Sequence, residues 1–440
     1  MGKKGLSHVA FELLAAATLT IGTATHTWFS WPNWVLMLAC VPSLALCVEY
    51  WFRQPESLMP LAAWMVILAP KNTSIALLDL MGFFPVVLAM LHTLSSRKKP
   101  LHVSLSGWVL LAWILWCLIS AVFSLSPAVS LKWTSMWAIG TLGWSLVGDP
   151  ETYRSFWNRF GWATATVLVY SVIFSPFEPK LSTVPFFTQD NVAAGTLLAA
   201  ILTWPLSVRG SVQKRMAWLW SILAGIWIFW ISRGAMLGIA AGGLTLGLMV
   251  GEWKKLRPIV TIIGLVGTVF LLWPKGMDGG LGNRTVFSKV NSFSNEERML
   301  RWELAFRMAE QRPWLGTGPG CFAPDFKHFL RTDEEVAKIS YWPGWTGGAH
   351  QLWLGSIAET GWIGAFLLAG LAAMISFGLF GEAGSGNAGT VGYFSAWVAL
   401  MVHLQVEDLL LEPGCFLAIC ALGGAAFLSK QNESGQAETS

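Results

Sequence analysis

Charge is what this 440-residue chain has least of. Asp, Glu, Lys and Arg together make up 12% of it, against 54% hydrophobic residues, and its mean hydropathy is +0.54. That balance excludes an ordinary water-soluble domain and makes the chain an integral membrane protein. Cysteine offers no framework either. Of the six, Cys40, Cys47, Cys117, Cys415 and Cys420 fall in or beside apolar runs, and Cys321 stands alone in a long polar loop. A disulfide within that loop is therefore excluded, and a cysteine-held metal is disfavoured. No P-loop, dinucleotide fingerprint, HExxH or GxSxG motif lies on a plausible element, and the net charge of +4 marks topology rather than nucleic-acid binding. There is no internal repeat, heptad or low-complexity domain.

What the chain does have is a series of long apolar runs. Such runs span a bilayer as helices, whereas barrel strands would show short alternating segments. The expected fold is all-α, a polytopic transmembrane bundle of about twelve to fourteen helices. The spans are placed at 8–27, 34–50, 58–70, 74–94, 105–123, 128–147, 158–177, 192–208, 216–232, 234–250, 257–273, 350–376, 390–405 and 409–428. They form one domain over 1–429, and the polar tail 430–440 is expected to be disordered. The 27 tryptophans divide between interface anchors near run ends, such as Trp28, Trp51, Trp133 and Trp273, and packing residues within one run, Trp218, Trp220, Trp227 and Trp230.

Basic residues set the orientation. Lys3 and Lys4, Arg53, Arg97 with Lys98 and Lys99, Arg209 with Lys214 and Arg215, and Lys254 with Lys255 and Arg257 fall on one side. By the positive-inside rule that side is cytoplasmic and holds both termini. The opposite face receives the 178–191 segment, the Ser232-Arg233-Gly234 turn, the 274–349 loop and the acidic group Glu407, Asp408 and Glu412. Nineteen Lys, Arg, Asp and Glu residues lie in that one loop, so every element able to carry chemistry converges on the extracytoplasmic face.

Within the loop, Ser294 or Asn295 is placed to cap a helix with Glu296 and Glu297 in its first turn. Met299, Trp302, Phe306 and Ala309 recur at helical spacing and predict an amphipathic helix lying on the membrane face or across the bundle mouth. Arg298, Arg301 and Arg307 surround that stripe. They read either as a solvated face with i,i+4 partners or as guanidinium forks for an anionic diphosphate. Pro313 ends the helix, and Gly316, Gly318 and Gly320 keep the following backbone tight. Arg233 interrupts an apolar sequence and must reach water, an anion or a partner; it is either a snorkelling turn residue or the head of a cavity. His350 opens the run Leu352-Trp353-Leu354, followed by Glu359, Gly361 and Gly364. It is either structural or a base for an acceptor hydroxyl. Glu359 lies about 13 Å further along a straight helix, too far to orient His350. Asp190 and Asn191 precede a span on the same face, where N-capping also accounts for them. Glu407 with Asp408 lacks the further ligand spacing that a metal would need.

These elements resemble the O-antigen ligase and O-antigen polymerase superfamily of bacterial inner-membrane glycosyltransferases. The likeness rests on Asp190-Asn191, Ser232-Arg233-Gly234-Ala235, the stretch from Arg301-Trp302 through RPWLGTGPGCF at 312–322, and Ala349-His350 with Glu359-Thr-Gly-Trp-Ile-Gly364. The resemblance implies a glycan donor linked to undecaprenyl diphosphate, used on the periplasmic face without a nucleotide sugar, cofactor or evident metal. It implies inverting displacement at the anomeric carbon. Arg233 and Arg301 would clamp the diphosphate, with Arg298 in reserve for Arg301, and His350 would orient or deprotonate the acceptor hydroxyl. Asp190, Asn191, Gly318, Gly320 and Glu359 would shape the substrate cavity. The implied acceptor is lipid A-core oligosaccharide; another lipid-linked repeat, a protein hydroxyl or a transport function are the alternatives.

Overall fold

The apolar runs fold as helices, and no strand occurs among the described residues. A computed structural model describes residues 12, 14–21, 33–68, 82–96, 104–146, 150–174, 190–249, 289–333, 335–336, 348–385, 387–407 and 409–437. The expected span 257–273 lies outside them, as do parts of 8–27 and 74–94. In order, the helices are α1 (Asn33–Arg53), α2 (Leu58–Leu68), α3 (Phe84–Ser96), α4 (Leu105–Val122), α5 (Pro127–Leu146), α6 (Pro150–Phe174), α7 (Asp190–Ser207), α8 (Ser211–Ile231) and α9 (Arg233–Met249). They continue with α10 (Lys289–Gln311), α11 (Leu352–Ala383), α12 (Ala388–His403) and α13 (Pro413–Ala437). Local chemistry sets several starts. Proline is the first residue of α5, α6 and α13, where its missing N–H costs nothing. Ser104, Gln351 and Asn387 accept N-terminal amides of α4, α11 and α12.

The protein is an all-α helical membrane protein. Phe52, Phe366 and Phe377 are 78%, 78% and 76% exposed, an apolar exterior that only lipid would solvate favourably. By length and composition, α4 and α11 are each long and apolar enough to cross a membrane. The main core contains fully buried Trp144, Trp157 and Trp204. Trp220 joins it edge-to-face on Trp204, with centroids 5.3 Å apart, whereas Trp218 faces outward.

The loop helix starts earlier than expected. Helix α10 begins at Lys289, so Ser294 and Asn295 are interior rather than capping residues. Its buried apolar face is Leu300, Leu304, Ala305 and Met308, which pack on Phe322, Phe326, Phe329 and Ala358 as a second, smaller core. Met299 and Phe306 of the expected stripe are exposed, and the face that packs on the protein's own loop and α11 is the other one. Helix α13 runs as far as Ala437.

Candidate functional site

The start of α11, the C-terminal end of α12 and one face of α10 meet around His350. The amide of Leu352 donates to Leu404 O at 2.9 Å, which docks the start of α11 on the end of α12. The α12 end then turns tightly, Val406 N donating to His403 O at 3.0 Å, and so delivers Glu407 to the histidine. His350 Nδ1 is hydrogen-bonded to Glu407 Oε1. Glu407 is buried while His350 keeps 13% of its side chain exposed. That exposure leaves the ring reachable, with Nε2 free to meet a reactant when Nδ1–H donates to the carboxylate. Among the described residues, His350 is the one non-glycine residue with positive φ, at 53°, the kind of backbone strain that persists where its surroundings hold it. Burial pushes the Glu407 carboxyl up, but the charges of His350, His403 and Arg298 and the His350 hydrogen bond outweigh it and hold the group below the usual carboxylate range.

Arg298 and Arg301 of α10 differ in what they do. Arg298 is partly exposed, and its Nη2 forms an ion pair with Glu407 Oε2 at 3.8 Å, beyond hydrogen-bond range. Arg301 is buried. Its Nε and Nη2 lie 3.0 and 2.7 Å from Glu297 Oε1, and Nη1 donates to Gly348 O at 2.9 Å, two residues before His350. Arg301 therefore fixes the backbone that presents the histidine. Arg307 is also buried, held by Glu303 and by a two-pronged contact with Glu335. The expected i,i+4 pairing is present for Arg301 with Glu297 and Arg307 with Glu303, their guanidinium groups buried rather than on a solvated face, whereas Arg298 pairs with Glu407.

Glu359 belongs to a second assembly. Its carboxylate accepts Gly320 N at 2.9 Å and Phe322 N at 3.1 Å. Gly361, at φ 68°, breaks α11 just beyond it, freeing carbonyls that receive the turn: Thr317 N on Ala358 O at 3.0 Å and Gly318 N on Glu359 O at 2.8 Å. Trp362 N in return donates to Pro313 O at 2.8 Å. From α4 and the turn that follows it, Trp116 Nε1 donates to Thr360 O, Ser120 Oγ to Leu315 O and Ser124 Oγ to Thr317 O, at 2.9, 2.6 and 2.6 Å. The glycine-rich turn, the Glu-x-Gly pair and a polar stripe on α4 thus form one clasp. Gly320 has no room for a side chain, since a Cβ would lie 1.9 Å from Trp133 Cδ1.

Arg233 starts α9 and Asp190 with Asn191 starts α7; their side chains lie outside the described set. The Arg233 turn nevertheless comes close to the histidine site. A Cβ on Gly234 would lie 2.5 Å from Val406 Cγ2 and 2.9 Å from His403 Cδ2. The structure therefore brings Arg298, Arg301, His350 and the Arg233 turn together, and it places Gly318, Gly320 and Glu359 in the clasp. Sequence reasoning missed Glu407 as the histidine's partner, because nothing in its spacing links it to position 350. Asp408, its expected companion, lies outside the described residues, and among those described no group of three or more His, Cys, Asp or Glu is arranged for a metal.

In comparisons with known proteins, residues 218–369 match the family model described as O-antigen ligase. That segment runs from α8 through the loop helix and His350 into α11. No curated protein matches the chain.

Proposed function

With residues 218–369 forming an O-antigen ligase-type domain, we propose that this protein is a periplasm-facing inner-membrane glycosyltransferase. It moves a glycan from undecaprenyl diphosphate to a hydroxyl of lipid A-core oligosaccharide. The observation that carries this reading is the His350–Glu407 pair, buried at the carboxylate, open at the imidazole and flanked by Arg298. The family match supports a glycosyltransferase of the O-antigen ligase or polymerase type, and the pair supplies a base suited to that chemistry.

In the proposed step the acceptor oxygen attacks the anomeric carbon from the face opposite the diphosphate. The bond from that carbon to the diphosphate oxygen breaks, the leaving oxygen keeps the electron pair, and configuration inverts. His350 Nε2 takes the hydroxyl proton, and Glu407 steadies the resulting imidazolium. Arg298 and Arg233 offset the charge developing on the diphosphate. Arg301 holds Gly348 and hence His350 in place. Two small cavities that share Trp113, Leu352, Leu368 and Leu410 lie beside the clasp.

The acceptor is tested with purified protein in liposomes supplied with the lipid-linked glycan. One reaction receives lipid A-core, another only more donor, and a third a hydroxyl-bearing protein acceptor. Glycan on lipid A-core is the expected result. Lengthening of the lipid-linked glycan instead would make the protein a polymerase, and glycosylated protein would make it a protein oligosaccharyltransferase. Vectorial movement of intact donor without transfer would make it a transporter.

A further inference from the structure

The outer surface of the clasp carries a feature that the transfer step does not use. Phe123, Trp314 and Trp362 are 61%, 65% and 53% exposed, although each stands beside residues locked into the clasp. Their backbones are neighbours. Arg312 Nη1 donates to Phe123 O at 2.9 Å and Trp362 N to Pro313 O at 2.8 Å, and a Cβ on Gly361 would run into Trp314 O. Three aromatic rings from three segments thus stand together on the surface, with the partly exposed Arg312 among them. Such a patch is unfavourable in water.

What covers it follows from where the two long apolar helices end. Helix α4 has 18 residues and stops at Val122, a rise of about 27 Å; from its break at Gly361 to Ala383, α11 rises about 33 Å. Both lengths suit a hydrocarbon layer about 30 Å thick. The two helices lie side by side in opposite directions: Leu110 and Leu371 border one cavity, while at the other end Trp116 bonds to Thr360 O and Ser120 to Leu315 O. The clasp therefore caps both spans at one level, and that level is a boundary of the bilayer. On the membrane side of the patch the apolar surface continues through Leu115, Leu118 and Val122 of α4 and through Phe366, one turn past Trp362. The patch is thus continuous with the lipid-facing exterior.

We propose that Phe123, Trp314, Trp362 and Arg312 form a seat for phospholipid headgroups, which holds the clasp at the surface of the bilayer. Aromatic rings, tryptophan above all, settle at headgroup level. The Arg312 guanidinium spends one N–H on Phe123 O, and its remaining donors suit phosphate oxygens. The turn after α10 is then part of the membrane interface rather than an aqueous loop, and it fixes the depth of the clasp. The seat concerns the membrane alone and is independent of the transfer reaction.

The test uses the full chain in liposomes of phosphatidylethanolamine and phosphatidylglycerol. All six cysteines are buried, so Trp314→Cys and, separately, Trp362→Cys each provide one accessible thiol for a bimane label. Arg331→Cys, at an exposed position of the polar loop, is the water-facing control. Quenching is compared for lipid spin-labelled on the headgroup, lipid spin-labelled in mid-chain, and iodide in the water. The labels at 314 and 362 should lose most of their fluorescence to headgroup-labelled lipid. Their depth should be about 15 Å from the bilayer centre, half the hydrocarbon thickness, while the label at 331 answers to iodide alone. Arg312→Gln in the Trp314→Cys background should reduce the headgroup quenching; an unchanged response would take Arg312 out of the seat. The proposal is overturned if the labels at 314 and 362 answer to iodide as the control does, which would put the patch in water. It is equally overturned if mid-chain lipid is the stronger quencher, or if no quencher reaches them because a second copy of the chain covers the patch.

Discussion

Replacing Gly361 by alanine should damage this protein far more than the same change nine residues further along the same helix. At Gly361 the backbone has φ 68° and ψ −177°, a region essentially reserved for glycine that costs another residue about 1–3 kcal/mol. A Cβ there would also lie 2.0 Å from Trp314 O and 2.7 Å from Pro313 O, so the turn has to move away. Three backbone hydrogen bonds depend on its position: Trp362 N to Pro313 O, Gly318 N to Glu359 O and Thr317 N to Ala358 O. At about 1 kcal/mol each net, and with the backbone cost added, the combined loss is about 4–6 kcal/mol. Gly370 is the control. Nothing lies within 4 Å of a Cβ there, and alanine in a helix interior gains up to about 1 kcal/mol over glycine. Thermal unfolding in detergent should place Gly361→Ala several degrees below wild type and Gly370→Ala at or above it. Hydrogen exchange should show faster opening at Thr317, Gly318 and Trp362 in the first variant alone. Equal midpoints and unchanged exchange in the two variants would refute the clasp.

Other expectations follow from the same geometry. Glu407→Gln removes the charge that balances a protonated His350, and kcat should fall by about 10²-fold or more, with the fold retained by circular dichroism and the donor KM little changed. Arg298→Ala should mainly raise the donor KM at wild-type stability, whereas Arg301→Ala, which strands the buried Glu297–Gly348 connection, should lower the thermal midpoint as well as the rate. Hydrogen bonds from the Arg307 guanidinium outweigh burial and lower the Glu335 carboxyl from its ordinary 4.5 to about 2. A depressed folded value means this contribution is complete above pH 4.5 and is lost as pH falls towards 2. An acid titration followed by hydrogen exchange in α10 should show that loss in wild type and a flatter response in Glu335→Gln.

The bundle was legible because its apolar runs are long and are bounded by proline, glycine and capping side chains. The observed limits of α4, α5 and α7 lie within about two residues of those expected, the usual scatter of helix ends. The loop helix shows where such reading ends. Positions 299–309 contain two interleaved apolar sets, Met299-Trp302-Phe306 and Leu300-Leu304-Met308, and both satisfy helical spacing. Which one is buried depends on Phe322, Phe326 and Phe329, which reach the helix only after the chain has turned at Gly316–Gly320. His350, Arg298 and Arg301 were legible as a constellation. The separation of duties between the two arginines was not, because it depends on Gly348 O and Glu407 arriving from elsewhere. Glu407 was read only beside Asp408, as a pair lacking the spacing of a metal site, since its partner is 57 positions away and is brought to it by the Leu352–Leu404 contact. The distance argument did hold for Glu359: from one straight helix it cannot reach His350, and the break at Gly361 gives it the glycine turn instead.

The most direct test of the central claim is a single-turnover reaction of purified protein with labelled glycan on undecaprenyl diphosphate and excess lipid A-core, run beside His350→Ala. The account predicts that wild type releases one undecaprenyl diphosphate for each glycan joined to the core, with inverted anomeric configuration. It predicts that His350→Ala, folded and still able to bind donor, is slower by about 10²-fold or more. Transfer by His350→Ala at the wild-type rate, or a product with retained configuration, would contradict it.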